Sequence, residues 1–180
     1  LSLDDAAGPT GKHVVEKVEE SPAFQAAIAK MIPVDRRMLS FLGRPSLVKA
    51  WNKARALAAE EGKYLPPIAD FRARAAAGEI IEVETRVMHW LKKGMDDVLE
   101  PKRDNVTGSV IPPFGKNQTY AMEGTRRAFR DLVKGQNREY ADSLARIARG
   151  KRIEGAYEDG MKFARLKSRL KSFGWAPLRS

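Results

Sequence analysis

Residues 119–150, TYAMEGTRRAFRDLVKGQNREYADSLARIARG, decide the class of this fold. Met122, Ala128, Phe129, Leu132 and Val133 recur at three- and four-residue steps, the period of one face of an α-helix. Gly135 stops that helix in this reading, and Asn137 caps the next. Tyr140, Ala141, Leu144, Ala145 and Ala148 then form an inward face that ends at Gly150. Two amphipathic helices joined by a short turn make a helical hairpin, which is too small to bury its apolar face alone.

Working outward, four amphipathic stretches open at Ser46, Glu82, Thr119 and Ala156, at intervals of 36, 37 and 37 residues. A period of roughly 20 to 50 residues is the mark of stacked helical hairpins. From Ser46, Leu47, Val48, Trp51, Ala54 and Ala58 form a stripe closed by Gly62. Pro66-Pro67 introduces a helix carrying Ile68, Phe71 and Ala75, ended by Gly78. Glu82 to Leu99 is predicted as one helix, with Val83, Val87, Trp90, Leu91, Val98 and Leu99 inward and Glu82 and Glu84 at its positive end. Ala156 to Phe173 is predicted as another, with Phe163, Leu166, Leu170 and Phe173 as its stripe. Upstream, His13 to Glu20 is a short helical segment. Ser21-Pro22 caps a helix with Phe24, Ala27, Ile28 and Met31 on one face, stopped by Pro33. Asp35 caps a further turn, Arg36 to Leu42. No segment alternates as a sustained strand, so the expected fold is all-α, a short helical-hairpin solenoid. An N-terminal arm at 1–12 precedes a single domain at 13–180.

The segment 101–118 interrupts the pattern. It holds Pro101, Pro112, Pro113, Gly108 and Gly115, and is longer than the usual connection of about 4 to 6 residues. It is either a disordered insertion or a contact loop. Val110, Ile111 and Phe114 are apolar enough to dock on a neighbour, which favours contact.

Thr119-Tyr120 opening a helix, Gly135 closing it, Ala141 soon after, and Lys92-Lys93-Gly94, similar to the lysine and glycine that end that family's first helix, together resemble the pentatricopeptide repeat. The resemblance implies a right-handed solenoid, and most organellar members of that family bind single-stranded RNA one base per repeat. In size, charge and repeat character the chain is similar to the pentatricopeptide-like accessory subunits on the catalytic head of euglenozoan mitochondrial ATP synthase. That likeness implies a non-catalytic, matrix-side mitochondrial subunit whose partners are the catalytic subunits.

The 180 residues suit one ordinary domain, and 33 Lys plus Arg against 23 Asp plus Glu leave a net charge of +10. Such a balance favours acidic partners: nucleic acid, an anionic surface or the acidic flank of a protein. Matrix proteins are also often basic. The chain opens on Leu1, as removal of a targeting peptide would leave it. With no cysteine there is no disulfide, thiolate metal site or Cys nucleophile. The longest apolar runs fall far short of the roughly 20 residues that span a bilayer.

No constellation points to catalysis. Gly8 to His13 mimics a phosphate loop, but Ala6 stands where its first glycine belongs and His13 where the magnesium ligand belongs. His13 and His89 have no partner at metal-ligand spacing, and His89 is expected at the surface or half-buried. Glu19-Glu20, Glu60-Glu61 and Asp96-Asp97 point about 100° apart on a helix and are expected on solvated faces. No enzyme activity, cofactor or metal is expected.

Residues 160–180 hold six basic residues, Lys162, Arg165, Lys167, Arg169, Lys171 and Arg179, and no acid. Lys162, Arg165 and Arg169 share one flank of the predicted helix, and Lys167 and Lys171 another. Phe173 and Trp175 could stack on bases or plug against the preceding helix. The expected partner surface therefore comprises Val110, Ile111, Phe114, Lys162, Arg165, Arg169, Lys171 and Trp175. The leading expectation is an accessory subunit of a large mitochondrial assembly. The alternative is an RNA-binding or mitoribosomal protein that uses the basic C-terminal helix.

Overall fold

The computed structural model describes the backbone over residues 11–172 and side chains over residues 15–102 and 104–169. Of the predicted arm at 1–12, only Gly11 and Lys12 fall within it. Phe173, Trp175 and Arg179, and the side chains of His13, Leu170 and Lys171, lie outside the described residues.

The described chain forms α1 (Gly11–Glu19), α2 (Pro22–Ala29), β1 (Met31–Pro33), α3 (Arg36–Leu42), α4 (Pro45–Glu60), α5 (Ile68–Ala76), β2 (Glu82–Glu84), α6 (Thr85–Leu99), β3 (Lys102–Arg103), β4 (Val110–Ile111), α7 (Lys116–Gln136) and α8 (Arg138–Ser172). Helix dominates and the strands are two or three residues long, so the class is all-α. The chain divides into two compact units, one of residues 25–141 and one of residues 1–24 with 142–180.

The larger unit is organised by α4 packed along α6. Leu47, Ala50, Trp51, Ala54 and Ala58 are buried on α4, and Met88, His89, Trp90, Leu91, Gly94 and Met95 on α6. Each fully buried Leu or Met contributes about 1.5–3 kcal/mol. The small residues Ala50 and Gly94 let the two backbones meet: a Cβ placed on Gly94 would lie 2.3 Å from the Ala50 carbonyl oxygen. Trp51 packs against Phe71 of α5 with the rings tilted, 4.9 Å between centroids. Its Nε1 donates to the Pro66 carbonyl at 2.8 Å, so the Pro66-Pro67 turn is tied to α4. Phe41 of α3 meets Phe129 of α7 edge-on at 6.2 Å.

Local signals placed most boundaries. Asp35 accepts from the Met38 amide at 2.8 Å and caps α3. Ser21 Oγ accepts from the Phe24 amide and caps α2. Gly62 and Gly78, at φ +68° and +78°, end α4 and α5 with the left-handed residue that a side chain resists.

Four expectations need correction. First, Glu82 to Glu84 is not helical: it pairs antiparallel with Met31–Pro33, setting Ile32 opposite Val83, both buried. Pro33 biases Ile32 towards extended backbone, and Ile81 and Val83 are β-branched, so two short segments, each with one buried apolar residue at its centre, pair across the sequence. Met31 is therefore exposed in a strand and does not extend the face of α2. Second, 101–118 is not structureless. Lys102–Arg103 and Val110–Ile111 form a hairpin, and α7 begins at Lys116. Third, Gly135 is not the last residue of α7, which runs one residue further to Gln136 and has Asn137 as its C-cap, whereas α6 ends at Leu99 as predicted. Fourth, Gly150 does not end α8, which continues unbroken through Gly155 and Gly160. A mid-helix glycine costs about 1 kcal/mol relative to alanine. Among described glycines positive φ occurs at Gly62, Gly78 and Gly108, while Gly43, the C-cap of α3, has φ −81°.

The 36-to-37-residue interval thus marks unlike places. Ser46 is the second residue of α4, Glu82 opens a strand, Thr119 lies inside the first turn of α7, and Ala156 falls in the middle of α8. The interval does not by itself mark repeated hairpins.

In the smaller unit, Ser21 Oγ donates to the Val18 carbonyl at 2.6 Å and joins α1 to α2. Phe24, Ser143, Leu144 and Ile147 are buried there. The buried face of α8 is therefore Tyr140, Ser143, Leu144 and Ile147, and the predicted Ala145 and Ala148 are exposed.

Candidate interaction surface

Asn137 is the C-cap of α7 and the N-cap of α8 at once, in extended backbone. Its Oδ1 accepts from the Tyr140 amide at 3.0 Å. Its Nδ2 donates to the Ala27 carbonyl and to Thr85 Oγ1, both at 2.8 Å. The Thr85 hydroxyl in turn donates to the Lys30 carbonyl at 2.8 Å. Tyr140 OH lies 3.0 Å from His89 Nδ1, ring edge to ring face. The predicted cap is borne out; its reach across the unit is not written in its neighbours. His89 is buried beside Tyr140, which corrects its expected exposure: α6 is covered on most sides there, with Met88, Trp90 and Leu91 also buried, and the tyrosine hydroxyl satisfies the ring nitrogen.

The carboxylate pairs divide their labour as structural acceptors. Glu61 accepts from Trp90 Nε1 at 2.7 Å and faces Arg86 Nη1 at 3.4 Å. Asp96 holds Lys92 at 2.7 Å and Arg126 of α7 at 2.9 Å. Each is thus an anchor between helices and not merely a solvated side chain.

A cleft of about 350 Å³ lies between the start of α4 and α7, lined by Arg44, Ser46, Lys49, Gln118, Met122 and Thr125 among others. Arg44 lies over the Phe41 ring at 4.5 Å and donates to Thr125 Oγ1 at 2.9 Å. Lys49 Nζ lies 5.2 Å from the Phe114 ring centroid. Both cations are thus engaged by the fold, and no residue lining the cleft is a carboxylate or a histidine. Among the described residues, no group of three or more His, Asp or Glu is placed to hold a metal ion. No described helix is long and apolar enough to cross a membrane.

The hairpin at 102–111 carries Val110 and Ile111 at 58% and 51% exposure, whereas Phe114 is half-buried beneath Lys49. Asp104 builds the turn: its Oδ1 accepts from the amides of Val106 at 2.7 Å and Thr107 at 3.1 Å. These two amides hold its carboxyl below the ordinary aspartate value of 3.8. Since the folded value is depressed, the turn's contribution is complete above the ordinary value and fades as pH falls through the lowered one. The expected result is a Val106 and Thr107 amide titration with its midpoint below 3.8 by NMR; a midpoint at or above that value would contradict the assignment.

The described part of the predicted inward stripe of the last helix, Phe163 and Leu166, is uncovered. Ile153 is 74% exposed, Phe163 67% and Leu166 55%, and Tyr157 and Met161 are also exposed. From Lys151 to Arg169 every described side chain is exposed except half-buried Glu154. Lys162, Arg165, Lys167 and Arg169 stand among these apolar groups, Lys162 with Asp159 at 3.6 Å. That exposed pair is worth well under about 1 kcal/mol. The structure thus brings Lys162, Arg165 and Arg169 together on one exposed helix. Val110 and Ile111 belong to the other unit.

Comparison with family models, with curated proteins and with solved structures returns no match for this chain.

Proposed function

We propose that this chain is a non-catalytic structural accessory subunit of a large mitochondrial assembly, with the catalytic head of mitochondrial ATP synthase as the favoured host. The observation that carries the reading is the far half of α8, where aliphatic and aromatic side chains lie in solvent beside lysines and arginines. A chain that lacks cover for such a surface gains by burying it against a partner. The cleft between α4 and α7 supports the same reading, because its cations are spent on Thr125, Phe41 and Phe114. The mitochondrial assignment rests on the basic balance and on the resemblance to pentatricopeptide-like accessory subunits.

The test is isolation of the native chain from mitochondria at moderate salt. The expected result is co-migration with the ATPase catalytic subunits through a sucrose gradient. Recovery with ribosomal RNA and proteins instead would establish the second reading, which the cation run of Lys162, Arg165, Lys167 and Arg169 favours. In that case RNA affinity falls steeply between low and moderate salt, by about one unit of log–log slope for each phosphate contact.

A further inference from the structure

We infer that the far half of α8 is clasped from two sides by the helices of an acidic protein partner; this rests on the accessory-subunit reading above. At about 100° per residue, Ile153, Tyr157, Met161 and Ala164 fall within an arc of roughly 80°, and Phe163 and Leu166 lie on a second arc of roughly 60° whose centre is about 150° from that of the first. Each arc follows the three- and four-residue spacing of a helix-packing seam. One seam suits a single neighbouring helix. Two seams set apart around the circumference suit two neighbours.

The charges select the partner's chemistry. Arg165 and Arg169 point along the strip left between the seams, while Lys167 falls between the seams on the opposite, mainly apolar side. From Arg149 to Ser172 there are eight Lys and Arg against three Asp and Glu, and no acid follows Asp159. A second copy of the same helix would bring two such excesses together, which repels. A bilayer surface calls for cations on one face and apolar groups on the other, and Lys167 breaks that division. RNA would meet the cations but leave Ile153, Phe163 and Leu166 in water. Paired helices whose groove is apolar and edged with Asp and Glu satisfy both sets at once.

The test treats the native, assembly-bound full chain with a zero-length carbodiimide, which joins an amine only to a carboxylate in contact. Peptide mapping is expected to find Lys162 and Lys167 linked to Asp or Glu in helical segments of another polypeptide. Arg165→Glu with Arg169→Glu should lower the linked yield and the assembly-bound fraction by about tenfold or more. Phe163→Ala with Leu166→Ala should do the same while leaving the circular dichroism spectrum unchanged, since both side chains are exposed. Four results would overturn the inference: links from Lys162 to Asp159 alone, links to Glu154 or Glu158 of a second copy, ultraviolet cross-links from this segment to RNA, or sedimentation of the purified chain with phosphatidylserine vesicles. A chain that travels with a large assembly yet gives one of these results loses the two-sided clasp and keeps its standing as a subunit. A chain that sediments free of any assembly loses both.

Discussion

Replacing Gly94 with alanine is expected to destabilise the larger unit by about 3 kcal/mol, although alanine is the better helix former by about 1 kcal/mol. The added methyl would lie 2.3 Å from the Ala50 carbonyl oxygen and 3.1 Å from both the Ala50 carbonyl carbon and Lys53 Cβ. The nearest obstacle is backbone, so no rotamer change relieves it. Helices α4 and α6 must separate, which loosens the contact between Trp51, Leu91 and their neighbours. Gly124→Ala is the matched control: on α7 its Cβ would meet nothing within 4 Å, so it should stabilise by up to about 1 kcal/mol. Urea unfolding followed by tryptophan fluorescence checks both, with an expected fall in midpoint of about 1 M or more for the first. If the two substitutions shift the midpoint in the same direction, the close approach of α4 and α6 is wrong.

The second large effect is expected at Asn137. Asn137→Ala removes the acceptor that caps α8, worth about 1 kcal/mol, and strips a donor from the buried Ala27 carbonyl. An unsatisfied buried acceptor costs about 1–3 kcal/mol more, for a total near 3 kcal/mol. Asn137→Asp keeps the cap but places a carboxylate oxygen where Nδ2 faced two acceptors, so it should be at least as damaging at neutral pH. Hydrogen exchange at the Tyr140 amide separates the two variants, because the cap bond is lost only in the alanine. Equal exchange in both would show that the Oδ1 contact does not hold that amide.

Both residues were visible in the sequence, and neither could be weighed there. Asn137 before Arg138 and Glu139 is an N-cap pattern, and the cap formed. Its bonds to Ala27 and Thr85 span 110 and 52 residues, and nothing next to Asn137 encodes them. Gly94 after two lysines matched a repeat-family pattern; its actual use is set by Ala50, which lies on another helix. The strand pair followed the same logic. Met31–Pro33 and Glu82–Glu84 are each too short to declare a strand, and become one only when Ile32 meets Val83. For the interaction surface, the positions of the cations followed directly from residue identity. That the Phe163 and Leu166 stripe lies uncovered did not, since a helical period is the same whether the face is buried in its own fold or left for a partner.

The sequence by itself determined the helical class, the caps at Ser21, Asp35 and Asn137, the glycine stops at Gly62 and Gly78, and the basic run of the last helix. Each of these is a contest between backbone and side chain within a few residues, so local chemistry is sufficient. Only the tertiary structure decided that α4 and α6 meet backbone to backbone, that 31–33 pairs with 82–84, that His89 is buried on Tyr140, and that α8 runs on through three glycines with Ile153, Phe163 and Leu166 in solvent. Those outcomes depend on which distant surfaces close over one another, and that is settled by packing and by the pairing of buried polar groups across the chain.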